Sequence, residues 1–170
     1  MNTEADRESK STDIAIQPLG EAAEARACAA LMAESEPWIT LQRDFEGALR
    51  LVMDRTKEVY VARAGRELAR HVVVNMQGPF AGYIQALAVR PEWRNRRIGA
   101  RLLGFAEERI FRESPNVFLC VSGFNTRAQT FYARLGYERI GELKDYVIAG
   151  ESEILMRKSL GPKDSFQPKG

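Results

Sequence analysis

The stretch Val89–Gly99, VRPEWRNRRIG, restricts the folds open to this chain more than any other. The apolar run Tyr83–Val89 reads as a strand that crosses a turn opened by Pro91 and enters an amphipathic helix over roughly Ile98–Ser114. Ile98, Leu102, Leu103, Ala106 and Ile110 recur at helical spacing and form its buried stripe. Pro91 suits the turn, and Gly99 lets another group approach the backbone closely. The first turn of a helix presents N–H groups without intrahelical acceptors, at the positive end of the aligned peptide dipoles. Arg94, Arg96, Arg97 and Arg101 surround that turn here. The combination fits a phosphate or diphosphate; the alternative is a solvated basic turn.

The rest of the chain must supply a partner for that strand and helix. With 170 residues, it is long enough for one domain with a sizeable core. Ile14–Pro18 reads as a first strand and Glu21–Glu34 as an Ala-rich helix, broken by Ser35-Glu36-Pro37-Trp38. Thr40 is placed to cap a second helix with Leu41, Phe45, Ala48, Leu49, Val52 and Met53 on one face. Lys57–Ala64 and Leu68–Val74 read as a hairpin turning at Gly65-Arg66, and Asn75–Gly82 as a loop. After the central helix, Val117–Val121 suits a central strand. Ala128, Phe131, Tyr132 and Leu135 form the stripe of another helix, ended by Gly136. Tyr137–Leu143 and Glu153–Lys158 complete the strands. This order calls for an α/β fold with helices on both faces of a sheet. Met1–Asp13 and Gly161–Gly170 are polar and read as flexible tails around a single domain over residues 14–160.

Charge and cysteine content narrow the function classes. A formal charge of +2 and a pI near 8.6 are too small a bias to imply nucleic acid. No apolar run reaches membrane-spanning length, and the polar N-terminus lacks a signal-peptide core, so a cytoplasmic protein is expected. Cys28 and Cys120 have no metal-ligand spacing and read as reduced thiols. His71, the single histidine, lies in a strand candidate far from the motifs in sequence.

The run Arg94-Asn95-Arg96-Arg97-Ile98-Gly99 after Val89-Arg90-Pro91 resembles motif A of the GNAT superfamily of acyl-CoA-dependent N-acyltransferases, with Arg97 in the place of the central glycine. Asn125-Thr126-Arg127-Ala128, Phe131-Tyr132 and Leu135-Gly136-Tyr137 resemble its motif B, and the likeness extends from about Ile14 to Leu160. It implies a GNAT-like mixed, mostly antiparallel central sheet with helices on both faces and a splayed strand pair that binds the cofactor. Arg97 suits the glycine position if its dihedrals are ordinary helical ones, although it crowds the phosphate.

By resemblance, the cofactor-binding residues are Leu87, Ala88, Val89, Arg94, Arg96, Arg97, Ile98, Gly99, Ala100 and Asn125. Leu87 and Val89 would act through backbone and Asn125 through its side chain, against readings as core residues and a helix cap. Tyr132 is the expected general acid for the departing thiolate; otherwise it is an interior helix residue. The family's carboxylate early in the strand before motif A is missing from Tyr83-Ile84-Gln85, which leaves the base unassigned. Glu34, Glu36 and Glu151 are candidates for amine recognition or plain surface charges, and Trp38 for an apolar wall or an anchor between two helices. The activity implied is acetyl transfer from acetyl-CoA, as cosubstrate and without a metal, to a small-molecule or peptide amine. A homodimer is compatible with this reading; nucleic acid and membrane partners are not expected. A catalytically impaired acyl-CoA sensor or protein-interaction module is the alternative, motivated by Arg97 and the missing strand carboxylate.

Overall fold

The computed structural model describes residues 14–93 and 97–168. The expectations for Met1–Asp13, Arg94 and Arg96 lie outside these residues. Seven strands form one sheet in the order β1-β2-β3-β4-β5-β7-β6. They are β1 (Ile14–Pro18), β2 (Lys57–Ala64), β3 (Glu67–Asn75), β4 (Tyr83–Val89), β5 (Asn116–Ser122), β6 (Glu138–Lys144) and β7 (Ser152–Ser159). Every neighbouring pair is antiparallel except β4 and β5, which run parallel. The helices are α1 (Ala22–Ala33), α2 (Phe45–Val52), α3 (Ile98–Ile110) and α4 (Thr126–Arg134), with a short 3-10 turn at Pro91–Trp93. The expected mixed, mostly antiparallel α/β sheet is therefore observed.

Alternation along the strands divides the core into two layers. On one face Val72, Val74, Ile84, Leu119, Val121 and Ile154 meet the buried stripe Ile98, Leu102, Leu103, Ala106 and Ile110 of α3, with Phe131 and Tyr132 of α4 packed alongside. On the other face Val59, Val61, Val73, Ala86 and Ala88 meet Cys28, Met32, Ala48 and Val52 of α1 and α2. Burying each large aliphatic side chain of this kind contributes roughly 1.5–3 kcal/mol before conformational entropy is subtracted. Cys28 and Cys120 are unbridged.

The second helix departs from the sequence expectation. Asp44, not Thr40, is its cap, and the Asp44 carboxylate accepts from the Gly47 N–H at 2.7 Å. Residues 36–42 form successive turns, and Gln42 has a left-handed φ of 54° that interrupts any continuous helix from Thr40. Leu41 is nevertheless buried, because the turn carries it against the core. The central helix also ends at Ile110, four residues before Ser114. Ser114 instead donates to the Ala81 carbonyl at 3.1 Å and fastens the helix exit to the start of β4.

Candidate active site

The parallel pair at the centre of the sheet is very short. β4 and β5 are in register only at Tyr83↔Phe118 and Ile84↔Leu119. Beyond that point β4 carries an extra residue: its pairing with β3 passes from Val74↔Ile84 to Val73↔Ala86 and skips Gln85. Such a bulge bends the strand and increases its twist, and β4 diverges from β5. Both strands then present edges that do not pair with each other, and backbone amide groups of this kind require other partners. Gly82 sets the position from which the divergence begins. Its φ is +93°, and a Cβ there would lie 2.4 Å from the Asn116 carbonyl oxygen, so only glycine lets the two backbones come this close.

A cleft of about 290 Å³ occupies the opening. Tyr83–Leu87 of β4 and Leu119–Ser122 of β5 line it, together with Asn125, Ala128 and Tyr132, the turn residues Glu36, Pro37, Trp38, Leu41 and Arg43, and Tyr146 and Val147. Asn125 caps α4 by accepting from the Ala128 N–H at 3.1 Å. Gln129 Nε2 donates to the Ser122 and Gly123 carbonyls at 3.2 and 3.0 Å, which fixes α4 against the end of β5. Tyr132 is held further by edge-on contacts with Phe131 and Tyr137, at centroid separations of 5.2 and 5.6 Å.

Burial governs the electrostatics of the cleft. It raises the Tyr132 phenol to about 12, so the group is protonated throughout the neutral range. Burial also raises the Cys120 thiol and, together with the neighbouring Cys120, the Tyr83 phenol. Glu153 of β7 stands beside Ser122 in the β5–β7 register and accepts from its hydroxyl at 2.7 Å. Burial raises the Glu153 carboxyl, and the Ser122 hydrogen bond and the charge of Arg43 partly oppose that shift. A carboxylate of raised basicity therefore lies directly behind a residue of the cleft wall.

At the other end of β4, the chain turns into α3 through Arg97. This residue has φ 54° and ψ 1°, left-handed rather than helical, and its side chain makes no capping hydrogen bond to the helix start. Arg97 therefore lacks the ordinary helical dihedrals under which the glycine position would accept it without strain. The turn needs the conformation that a glycine adopts freely, and an arginine takes it at a cost of about 1–2 kcal/mol. Gly99 is where another group approaches, as the sequence suggested, and that group is the guanidinium of Arg70: Nη1 lies 2.6 Å from the place a Cβ would occupy.

The structure brings Glu36, Trp38, Leu87, Asn125 and Tyr132 to one cleft. Arg97, Ile98, Gly99 and Ala100 lie together at the start of α3. Val89 pairs with Arg70 at the end of β4, and Ala88 is buried toward α1 and α2. Glu34, at the end of α1, and Glu151, before β7, do not line the cleft. His71 is fully buried in β3, away from the cleft lining. Sequence reasoning missed Tyr83, Cys120, Ser122 and Glu153. A carboxylate heading the apolar run Ile154-Leu155-Met156 was the available signal for Glu153, but its partner on β5 depends on strand order.

A mixed sheet opened between two parallel strands, with a basic helix start at one end of the gap and a phenol within it, has the architecture of the GNAT fold. The chain belongs to the acetyltransferase (GNAT) family, whose model matches residues 21–137. It is 34% identical over 105 residues to the uncharacterized protein ML0378 of Mycobacterium leprae (strain TN), a match covering 61% of this chain but 27% of that protein. Among solved structures, it resembles an aminoglycoside 6′-N-acetyltransferase complexed with coenzyme A, with a TM-score of 0.70, 18% identity and coverage of 87% of this chain and 98% of that one. The ribosomal-protein-S18-alanine N-acetyltransferase of Escherichia coli is similar at a TM-score of 0.69 and 16% identity, over 91% of this chain and 99% of that one. At these identities the structural likeness defines the fold.

Proposed function

We propose that the protein is an N-acetyltransferase moving an acetyl group from acetyl-CoA directly to a primary amine. The observation that carries this reading is the gap between β4 and β5. It offers unpaired backbone edges for a peptide-like arm, leads toward the uncapped start of α3 where phosphates are favoured, and places Tyr132 in its wall. Leu87 and Val89 would meet the arm through their backbone, and the amides from Ile98 to Ala100 would meet the diphosphate. Trp38, Glu36 and Arg43 also line the cleft, and the acceptor would enter beside them.

In the proposed step the neutral amine attacks the thioester carbonyl, the N–C bond forms and the C–S bond breaks. The amine proton passes to Glu153 by way of the Ser122 side of the cleft, and the Tyr132 phenol supplies a proton to the leaving sulfur. Solvent exchange then restores both groups. Phenol donation to an ordinary thiolate is uphill for a phenol raised to about 12. Burial likewise raises the Cys120 thiol in the cleft wall, and it would raise the basicity of a departing thiolate in the same direction.

Single-turnover acetyl transfer across a panel of amines, read as free thiol, tests the reading. Tyr132→Phe should keep acetyl-CoA affinity while lowering the chemical rate about 10²–10⁴-fold. Equal rates in the two proteins would assign Tyr132 to packing alone. The left-handed Arg97 in the glycine position favours a second reading, a protein that binds the thioester without turning it over; binding with no transfer to any amine would select it.

A further inference from the structure

Arg70 is an unusual residue to find inside this fold. It interrupts the apolar run of β3, is 3% exposed, and projects between the sheet and the first turn of α3. Nη2 donates to the Trp93 carbonyl, while Nε is buried without a hydrogen-bond partner. The ion pairs among the described residues join Arg63 to Glu24, Arg109 to Glu58 and Glu113, Arg139 to Glu142, and Lys158 to Glu107. None involves Arg70.

This leaves like charges together. Burial lowers the Arg70 guanidinium only to about 10, so it is cationic at neutral pH. Directly above it are Gly99 and the helix N-terminus, which no side chain caps. A buried cation with no counterion among the described residues is costly, and the positive end of a helix beside it adds to that cost. An anion at the helix start offsets both terms at once. Gly99 is the feature that permits this arrangement: any side chain there would displace the guanidinium, whose Nη1 is 2.6 Å and Cζ 3.8 Å from the Cβ position.

We propose that Arg70 is a fixed cation built into the anion site at the start of α3, acting from beneath Gly99 to favour ligands that carry a diphosphate. The inference rests on the cosubstrate reading above and adds a residue from β3, outside the loop that the sequence marked. Arg70 is a positioning charge in this account, because the helix backbone stands between it and the ligand. A purely structural role would be to pin the 3-10 turn through the Trp93 carbonyl.

Calorimetric titration separates the two roles. Wild type, Arg70→Gln and Arg70→Lys are each titrated with CoA, dephospho-CoA and pantetheine at low and high salt. Gln removes the charge, and its amide ends where Nε stood, too short to reach the Trp93 carbonyl, so the pantetheine titration reports any effect of losing that bond. Through the loss of the guanidinium's through-space attraction, Arg70→Gln should weaken CoA and dephospho-CoA alike by roughly 10–100-fold, flatten the salt dependence, and leave pantetheine binding unchanged. Lys should retain most of the affinity. Wild-type affinity in Arg70→Gln, or equal losses for CoA and pantetheine, would overturn the proposal. A loss with CoA but not dephospho-CoA would overturn the assignment to the diphosphate. If the Gln variant does not fold, Arg70→Lys decides: retained CoA affinity supports the charge role and loss overturns it. A wild type that binds inorganic pyrophosphate through Arg70 but not CoA would remove the cosubstrate reading and keep the anion site.

Discussion

Acidification should destabilise this protein through one side chain. His71 is 0% exposed, and neither ring nitrogen has a hydrogen-bond partner. Burial lowers its pKa from 6.5 to about 4. In the unfolded chain the ring takes up a proton below about 6.5; in the native protein it does so only below about 4. Between these values the unfolded state binds more protons, so the contribution of neutral His71 is present above pH 6.5 and is lost as pH falls toward 4. At 1.36 kcal/mol per pH unit, the full interval is worth about 3 kcal/mol, a large part of the stability of a domain this size. Leucine fills a similar volume and has no nitrogen to leave unpaired. Urea denaturation of wild type and His71→Leu, followed by circular dichroism from neutral pH to pH 4, should show the variant gaining on wild type by about 3 kcal/mol across the window. Carboxylates common to both proteins cancel in that difference. A difference that stays flat with pH would refute the reasoning, because it would mean that the buried ring is protonated in the native state or already neutral in the unfolded one.

Three further outcomes follow from the same physical picture. Glu153→Gln should lower kcat by about 10²-fold or more and remove the acidic limb of the pH profile of kcat/KM, whose midpoint in wild type should lie above the ordinary 4.5; an unchanged limb would exclude Glu153 as the base. Gly82→Ala should cost about 2–4 kcal/mol in urea denaturation, since it imposes a side chain at φ +93° and drives Cβ into the Asn116 carbonyl; a change near zero would count against the close backbone approach. Arg97→Gly removes the left-handed penalty but gives the unfolded chain more freedom, so stability should rise by less than about 1 kcal/mol. CoA binding by that variant should hold or tighten, and a severe loss in calorimetry would show Arg97 to be a necessary phosphate contact.

The parts legible in the sequence were those written in local periodicity. β1, β2 and β4 have the expected ends, because alternating or apolar runs there stop at Pro, Gly or charged residues. The stripe of α3 was equally clear, since Ile98, Leu102, Leu103, Ala106 and Ile110 all face one core layer. The start of α2 was misread because Leu41 and Phe45 are four apart, as on a helix face; the turn buries Leu41 without forming that helix. What the sequence hid depends on register between distant segments. The unpaired Gln85 emerges only when β3 and β4 are aligned, and Glu153 meets Ser122 only because β7 lies beside β5. Arg70 likewise carried no signal of its own, since its relation to Gly99 requires α3 to cross over β3.

The short pairing of β4 with β5 has a mechanical consequence. The sheet is two slabs, β1–β4 and β5–β7, stitched edge to edge by two residue pairs, with α3 strapped across the join. A molecule lying in the gap and hydrogen-bonding to both edges would act as the missing stitches. Hydrogen exchange would then slow on both sides of the join at once, at Ala86–Val89 and at Cys120–Ser122, although these segments belong to different slabs. The ligand would be a structural member of the sheet for as long as it stayed, and its departure would return the molecule to two halves free to flex about Tyr83 and Ile84.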